Sequence, residues 1–233
     1  MRPIFNNLMM KYATDFIGCS DEAGIGLFGK EQPFVMLPNG IDLDRYRNVP
    51  VTKAEMHAQL GIPEDAFVIG HIGRFEEQKN HRLLLKIVQH ILKKHPNTYL
   101  LSVGAGSLEA EIHGLANDLG ISDHVLFLGE REDIAELLKA MDVFLLPSLY
   151  EGLPIVAVEA QAANVKLVMS TEVSKDTVLS ENVRFVPLDA DLDRWEAEVM
   201  GEPKGNRPKP EMEAFDMLKT AKALEKIYDA KEV

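Results

Sequence analysis

Two carboxylates stand in an otherwise small and apolar run, "SLYEGLPIVAVEA", with Glu151 and Glu159 separated by seven residues. Gly152 and Pro154 make a turn between them, and the apolar residues after the turn read as a helix opening with Pro154 in its first turn. Free amides at such a helix start, reinforced by the macrodipole, favour a phosphate. Two carboxylates beside a phosphate alone would cost energy, whereas both are useful if each accepts hydrogen bonds from hydroxyls of a sugar. The alternative is structural: Glu151 caps the helix and Glu159 is a partly exposed helical position. The apolar neighbours "IVAV" and "AQAA" argue against a solvated Glu159.

A second group of charges lies in "GRFEEQKN", where Gly73, Arg74 and Lys79 follow an apolar strand-like run. Arg forks onto phosphate oxygens and Lys supplies a mobile point charge, so the pair suits an anion. Glu76 and Glu77 stand between them, and a solvated turn remains an open reading. "VGAGS" holds Gly104 and Gly106, which permit close backbone approach to a ligand. It lacks the third glycine of a dinucleotide fingerprint and reads equally as a tight strand–helix turn.

The elements that must position these loops alternate regularly. Apolar runs "FVIGHIG", "TYLLSVG", "HVLFLG", "DVFLLPS", "KLVMS" and "VRFVP" read as strands. Between them "NHRLLLKIVQHILKKHP", "SLEAEIHGLANDLG" (Ser107 as N-cap, Gly120 past the end), "REDIAELLKAM" and "GLPIVAVEAQAAN" read as helices. Continuous apolar strands alternating with helices imply an α/β, Rossmann-like, doubly wound parallel sheet covered on both faces. Ligands of such sheets bind beyond the carboxyl ends of the strands, which is where the loops above fall. A front segment, "DFIGCS" and "FVMLPNG" around a short helix, and a C-terminal amphipathic helix after the polar linker "GEPKGNRPKP" flank this body.

Composition narrows the function classes. The 233 residues carry a formal net charge of −12 with acids spread along the chain, which argues against nucleic acid as a partner. The single cysteine, Cys19, excludes an internal disulfide framework. No apolar run approaches the ~18 residues of a membrane span, and "MRPIFNNLMMKY" lacks the apolar core of a secretory signal. A cytoplasmic protein is expected, with the basic run "KIVQHILKKHP" compatible with a peripheral place at the inner membrane face. His71, inside an apolar strand, reads as a hydrogen-bonded core histidine. His81, His90, His95, His113 and His124 share no metal-ligand spacing.

Taken together and in order, "LPNGIDLDRY", "GHIGRFEEQKNH", "LLSVGAGSLEAEI", "VLFLGEREDIAELL" and "DVFLLPSLYEGLPIVAVEAQAANVKLV" resemble the C-terminal, nucleotide-sugar-binding half of GT-B-fold retaining glycosyltransferases of family 4. The likeness is strongest to exopolysaccharide and capsular-polysaccharide enzymes, and runs from about residue 35 to the C-terminus. It implies a UDP- or GDP-sugar donor and a saccharide or lipid-linked acceptor. By resemblance, Arg74 and Lys79 neutralise the donor diphosphate, Glu159 holds the ribose hydroxyls, and Glu151 touches the donor sugar. Gly73, Gly104, Gly106, Gly152, Leu153 and Pro154 line the donor, and Arg131 falls where the family holds the nucleobase. No cofactor or metal is implied, because Arg, Lys and the helix dipole carry the counter-charge. Asn164 stands where the family usually has glycine, and Asn tolerates a left-handed φ.

The family's N-terminal acceptor domain is represented by no more than residues 1–45, read as a strand–helix remnant and linker. Residues 46–233 are expected to form the donor domain, C-terminal helix included. The chain thus reads as a half-enzyme, a truncated product, a cut piece or one partner of a split transferase with a separate N-terminal domain, and the apolar surface where that domain would dock is expected to favour a homodimer. A non-catalytic nucleotide-sugar-binding module is the alternative, and a UDP-sugar epimerase of related fold is disfavoured by the run of family loops.

Overall fold

In a computed structural model of the chain, residues 10–203, 205 and 208–229 are described. Parts of the polar linker, Lys204, Asn206 and Arg207, lie outside them, as does most of the opening "MRPIFNNLMMKY". The chain divides into two compact units, residues 1–43 with 211–233, and residues 44–210. The C-terminal helix therefore groups with the front segment rather than with the body of the expected 46–233 domain.

In the first unit, strand β1 (Ile17–Gly18) pairs in parallel with β2 (Val35–Met36). Helix α1 (Asp21–Phe28) crosses between them, its start capped by the Ser20 hydroxyl accepting from the Ala23 amide at 3.1 Å. The front segment thus forms the two strands around a helix that its sequence implies. The short helix α2 (Leu43–Arg47) opens the way into the second unit.

The second unit begins with α3 (Lys53–Leu60), a helix that the alternation of apolar runs did not announce. Its signature is a capping box: the Glu55 amide donates to Thr52 Oγ1 at 3.2 Å, and the Thr52 amide donates to Glu55 at 2.7 Å. Six parallel strands follow, β3 (Phe67–Ile72), β4 (Thr98–Val103), β5 (Val125–Phe127), β6 (Val143–Leu146), β7 (Lys166–Ser170) and β8 (Val183–Val186). The helices between and after them are α4 (His81–Leu92), α5 (Glu109–Asp118), α6 (Ile134–Lys139), α7 (Ile155–Ala162) and α8 (Leu192–Met200). Helix α9 (Met217–Asp229) belongs to the first unit, where Ile41 bridges Asp216 just before it.

Strand order is β5-β4-β3-β6-β7-β8, so the sheet's first strand in sequence lies at its centre and the chain winds outward both ways. This is the doubly wound order, and it places a crevice between β3 and β6, where the loops leave in opposite directions. β6 and β7 are buried along their whole length, as strands covered on both faces must be. Leu84, Leu85, Ile87, Val88 and Ile91 of α4, at helical spacing, pack with β3, β4 and β6 residues in the main core.

Two expectations shift by a few residues. α5 begins at Glu109 with no side-chain cap, because Ser107 instead donates its amide and hydroxyl to Glu76 at 3.2 and 3.0 Å. Pro154 precedes α7 in an extended conformation (ψ 120°) rather than sitting in its first turn. Gly120 (φ +68°) and Asn164 (φ +63°) do take the left-handed conformation expected of them. α8 also escaped the strand–helix pattern; the fully buried Trp195 anchors it to the core. Its last carbonyls, those of Val199 and Gly201, accept from the Lys166 ammonium at the start of β7. Burial there lowers the Lys166 pKa to about 8.

Thr52→Ala removes half of the capping box in an exposed setting. Urea unfolding should show a loss of about 1 kcal/mol with an unchanged m-value; no loss would mean that α3 is held by packing alone.

Candidate functional site

The crevice between β3 and β6 brings together side chains 72 residues apart in sequence. Lys79, at the end of a 3₁₀ turn (Glu77–Lys79) after β3, donates to Glu151 at 2.6 Å. The two side chains are 14% and 9% exposed, so this ion pair is largely shielded from water. The Ser148 hydroxyl donates to the same Glu151 oxygen at 3.0 Å. Shielded charges are stable only when paired and further hydrogen-bonded, and this carboxylate is both.

The loop from Pro147 to Pro154 is clamped from two sides. From the β3–α4 loop, Asn80 donates to the Pro147 carbonyl at 3.1 Å, Gln78 donates to the Tyr150 carbonyl at 2.9 Å, and the Gln78 carbonyl accepts from Leu149 at 2.8 Å. Beyond β7, the Glu151 amide donates to the Glu172 carbonyl at 3.2 Å, and the Glu151 carbonyl accepts from Ser174 at 3.0 Å. These bonds occupy the backbone of Glu151. Among the described residues, the next amides, those of Gly152 and Leu153, donate to no acceptor of the chain.

The acids that stood between Arg74 and Lys79 are committed elsewhere. Glu76 accepts from Ser107, and Glu77 pairs with Arg82 at 2.6 Å. Arg74 is exposed, and its carboxylate neighbours in sequence do not neutralise it. It lines a shallow cleft with Gly73, Gly104, Glu130, Arg131 and Ile134, at the carboxyl ends of β3 and β4. The guanidinium of Arg131 is held by Asp133, with Nε donating at 2.7 Å, which keeps the Asp133 carboxyl below its usual range. Of the expected residues, Gly73, Arg74, Gly104 and Arg131 share this cleft, while Lys79 and Glu151 meet beside it. Gly73 joins the two groups, since the Lys79 side chain packs 3.0 Å from where a Gly73 Cβ would be.

The glycines divide into two kinds. A Cβ on Gly104 (φ +132°) would stand 2.2 Å from the Gly73 carbonyl oxygen, and one on Gly106 would stand 2.5 Å from that of Phe75. Both are therefore required by backbone packing of adjacent loops, whatever ligand binds. At Gly152 a Cβ would meet no atom of the chain within 4 Å, and its φ is not left-handed. Neither packing nor conformation asks for glycine there.

Glu159 sits on α7 and accepts from the Tyr46 hydroxyl at 2.5 Å. Burial raises its pKa, partly offset by the Tyr46 hydrogen bond and the nearby Arg45 charge. Arg45 in turn donates to the Glu132 carbonyl at 2.7 Å. Sequence reasoning assigned nothing to Tyr46 or Arg45. They lie in "LDRYR", where Tyr46 is 113 residues before Glu159, with no local pattern to join them.

Beneath the loops lies a buried ring stack. His81 lies 4.2 Å from Phe75, and His71 meets His81 edge-on at 4.7 Å. Burial, then the Lys79 charge, lowers the His81 pKa to about 4, so this ring is neutral at pH 7. His71 is fully buried, with Nδ1 2.8 Å from the Leu145 carbonyl, as a core histidine should be. Among the described residues, no helix is long and apolar enough to cross a membrane.

Gly106→Ala should lower the thermal midpoint by several degrees, because its Cβ would strike backbone, whereas Gly152→Ala should leave it within about 2 °C. A loss of stability at Gly152 equal to that at Gly106 would contradict the division between them.

Comparison with known proteins agrees with this architecture. Residues 52–186 match the family model for glycosyl transferases group 1. A Bacillus subtilis protein named as the glycosyltransferase EpsF is 36% identical over 214 residues, covering 89% of this chain and 56% of its own length. The Escherichia coli UDP-Gal:alpha-D-GlcNAc-diphosphoundecaprenol alpha-1,3-galactosyltransferase is 32% identical over 139 residues, 58% of this chain and 36% of that protein. Anabaena HepE, solved in complex with UDP and glucose, superposes with a TM-score of 0.83 at 21% identity, covering 98% of this chain and 66% of HepE. The chain spans about half the length of EpsF and less of the galactosyltransferase. A family match over more than half of the chain, on a doubly wound sheet with its loops at the β3–β6 crevice, shows that the chain belongs to the group 1 glycosyl transferases.

Proposed function

We propose that this chain carries the nucleotide-sugar donor site of a retaining glycosyltransferase that builds a surface polysaccharide, with a saccharide or lipid-linked acceptor. The observation that carries this reading is the meeting of Lys79 and Glu151 at the point where strand order reverses. The UDP complexes of HepE and the UDP-galactose donor in the name of the Escherichia coli relative support a nucleotide-linked sugar donor, of which UDP-sugars are the first to test.

The chemistry follows from the residues. In the free protein the Lys79 ammonium is held by Glu151. An incoming diphosphate offers Lys79 a more highly charged partner and Arg74 a fork of oxygens. Glu151, released from full pairing, then accepts hydroxyls of the donor sugar, with Ser148 fixing its direction. The amides of Gly152 and Leu153, which donate to no described acceptor of the chain, complete the phosphate and sugar contacts. The half-buried Glu159 carboxylate, oriented by Tyr46, takes the ribose hydroxyls. The backbone around Arg131 borders the nucleobase. As the nucleoside diphosphate leaves, charge grows on its oxygens, and Arg74 and Lys79 already stand in place to receive it. Their positive charge performs the task that a metal ion performs in other transferases.

Calorimetric titration with UDP, GDP and ADP tests the reading. UDP should bind most tightly, and Arg74→Ala should weaken it by roughly ten- to a hundredfold, the worth of a charge-assisted hydrogen bond of about 1.5–3 kcal/mol. A folded protein that binds none of the three, or binds UDP equally well after Arg74→Ala, would sink the assignment.

A further inference from the structure

At the far end of α4 from Lys79, a second cluster converges that the donor site does not use. His90 Nε2 lies 2.9 Å from Asp193 Oδ1 and 3.1 Å from Glu196 Oε2. His95 Nε2 lies 3.5 Å from the other Glu196 oxygen. The periodicity accounts for the convergence, since Asp193 and Glu196 are three apart on one face of α8 and face the last turn of α4. Roughly 14 Å of helix separates His81 from His90 at 1.5 Å per residue.

We infer that this α4–α8 junction binds a divalent transition-metal ion of the zinc class. Tetrahedral zinc, with bonds of about 2.0–2.2 Å to nitrogen and carboxylate oxygen, needs ligand atoms about 3.3 Å apart. The two contacts of His90 fall within a few tenths of that spacing, and one donor atom from each of His90, Asp193 and Glu196 lies within 4.8 Å of the others. One or two imidazoles with two carboxylates suit zinc, cobalt or nickel, whereas magnesium and calcium favour oxygen alone. Glu196 is already placed: its side chain is 11% exposed and turned toward the histidines.

The junction already holds a cation. The Lys94 ammonium donates to Glu196 at 2.9 Å and Asp193 at 3.3 Å, and its 57% exposed side chain is free to swing into water. A divalent ion replaces it with greater charge density and directed bonds. Arg194, a nearby cation on α8, is turned to Glu198 at 2.9 Å and does not compete. Once bound, the ion ties α8 to the helix whose start follows Lys79. Linkage then requires that it raise stability in proportion to occupancy.

The test is titration of the tag-free, metal-stripped chain with zinc chloride, followed by calorimetry and thermal unfolding, with magnesium and calcium chlorides as controls. One equivalent of zinc should bind and raise the thermal midpoint, while magnesium and calcium leave it unchanged. His90→Ala should weaken zinc by more than about tenfold, and Lys94→Met, which removes the competing ammonium, should tighten it. Cobalt(II) gives a second readout, since a tetrahedral absorption band should appear in the parent chain and vanish in His90→Ala. Zinc binding that survives His90→Ala intact, no zinc-dependent rise in midpoint, or weaker binding by Lys94→Met would overturn the inference.

Discussion

A lysine ammonium and a glutamate carboxylate held 2.6 Å apart, each mostly hidden from water, need every remaining lone pair and proton near them to be accounted for. That requirement organises the crevice between β3 and β6. Ser148 supplies a second donor to Glu151, and Gln78 and Asn80 tie the loop carrying Glu151 to the loop carrying Lys79. The lysine stem lies against Gly73, where a larger residue would push it aside. Two loops far apart in sequence are thus locked into one surface by this shielded pair together with the Gln78 and Asn80 hydrogen bonds. The cation and the acceptor stand at fixed positions before anything binds, which is the preorganisation that the proposed donor site requires.

The same economy explains why neighbouring glycines answer to different demands. Gly104 and Gly106 let the loop after β4 lie directly on the loop after β3, so their removal disturbs the platform. Gly152 stands beside Glu151, and a Cβ there would meet no atom of the chain within 4 Å, so its removal leaves the platform intact. Glu159 shows the complementary pattern. Its carboxylate is buried enough to raise its pKa, yet Tyr46 keeps it directed and Arg45 moderates the cost.

The sheet was legible because parallel strands buried on both faces must be continuous apolar runs, and "FVIGHIG" or "DVFLLPS" allow little else. The loops at their ends were legible for the same reason, since strand direction fixes which end of the sheet they occupy. α3 carried a readable signal, Thr52 with Glu55 three residues on, but its weak amphipathicity hid it among polar neighbours. α8 offered only Trp195 and Val199 as core residues amid charges. Ser107 reads as a cap until Glu76, brought over from the next loop, claims its hydroxyl. Tyr46 with Glu159, and His90 with Glu196, are joined by topology alone. No local periodicity can announce contacts that depend on how the chain returns to a shared surface.

The central claim is that the Lys79–Glu151 pair holds the crevice together, and a double-mutant cycle in urea unfolding tests it most directly. Lys79→Met and Glu151→Gln should each destabilise the chain by leaving the other group unpaired. The double variant should lose less than their sum, with a coupling of about 1 kcal/mol or more. Strictly additive losses would mean that the two side chains are merely adjacent, and would contradict the account.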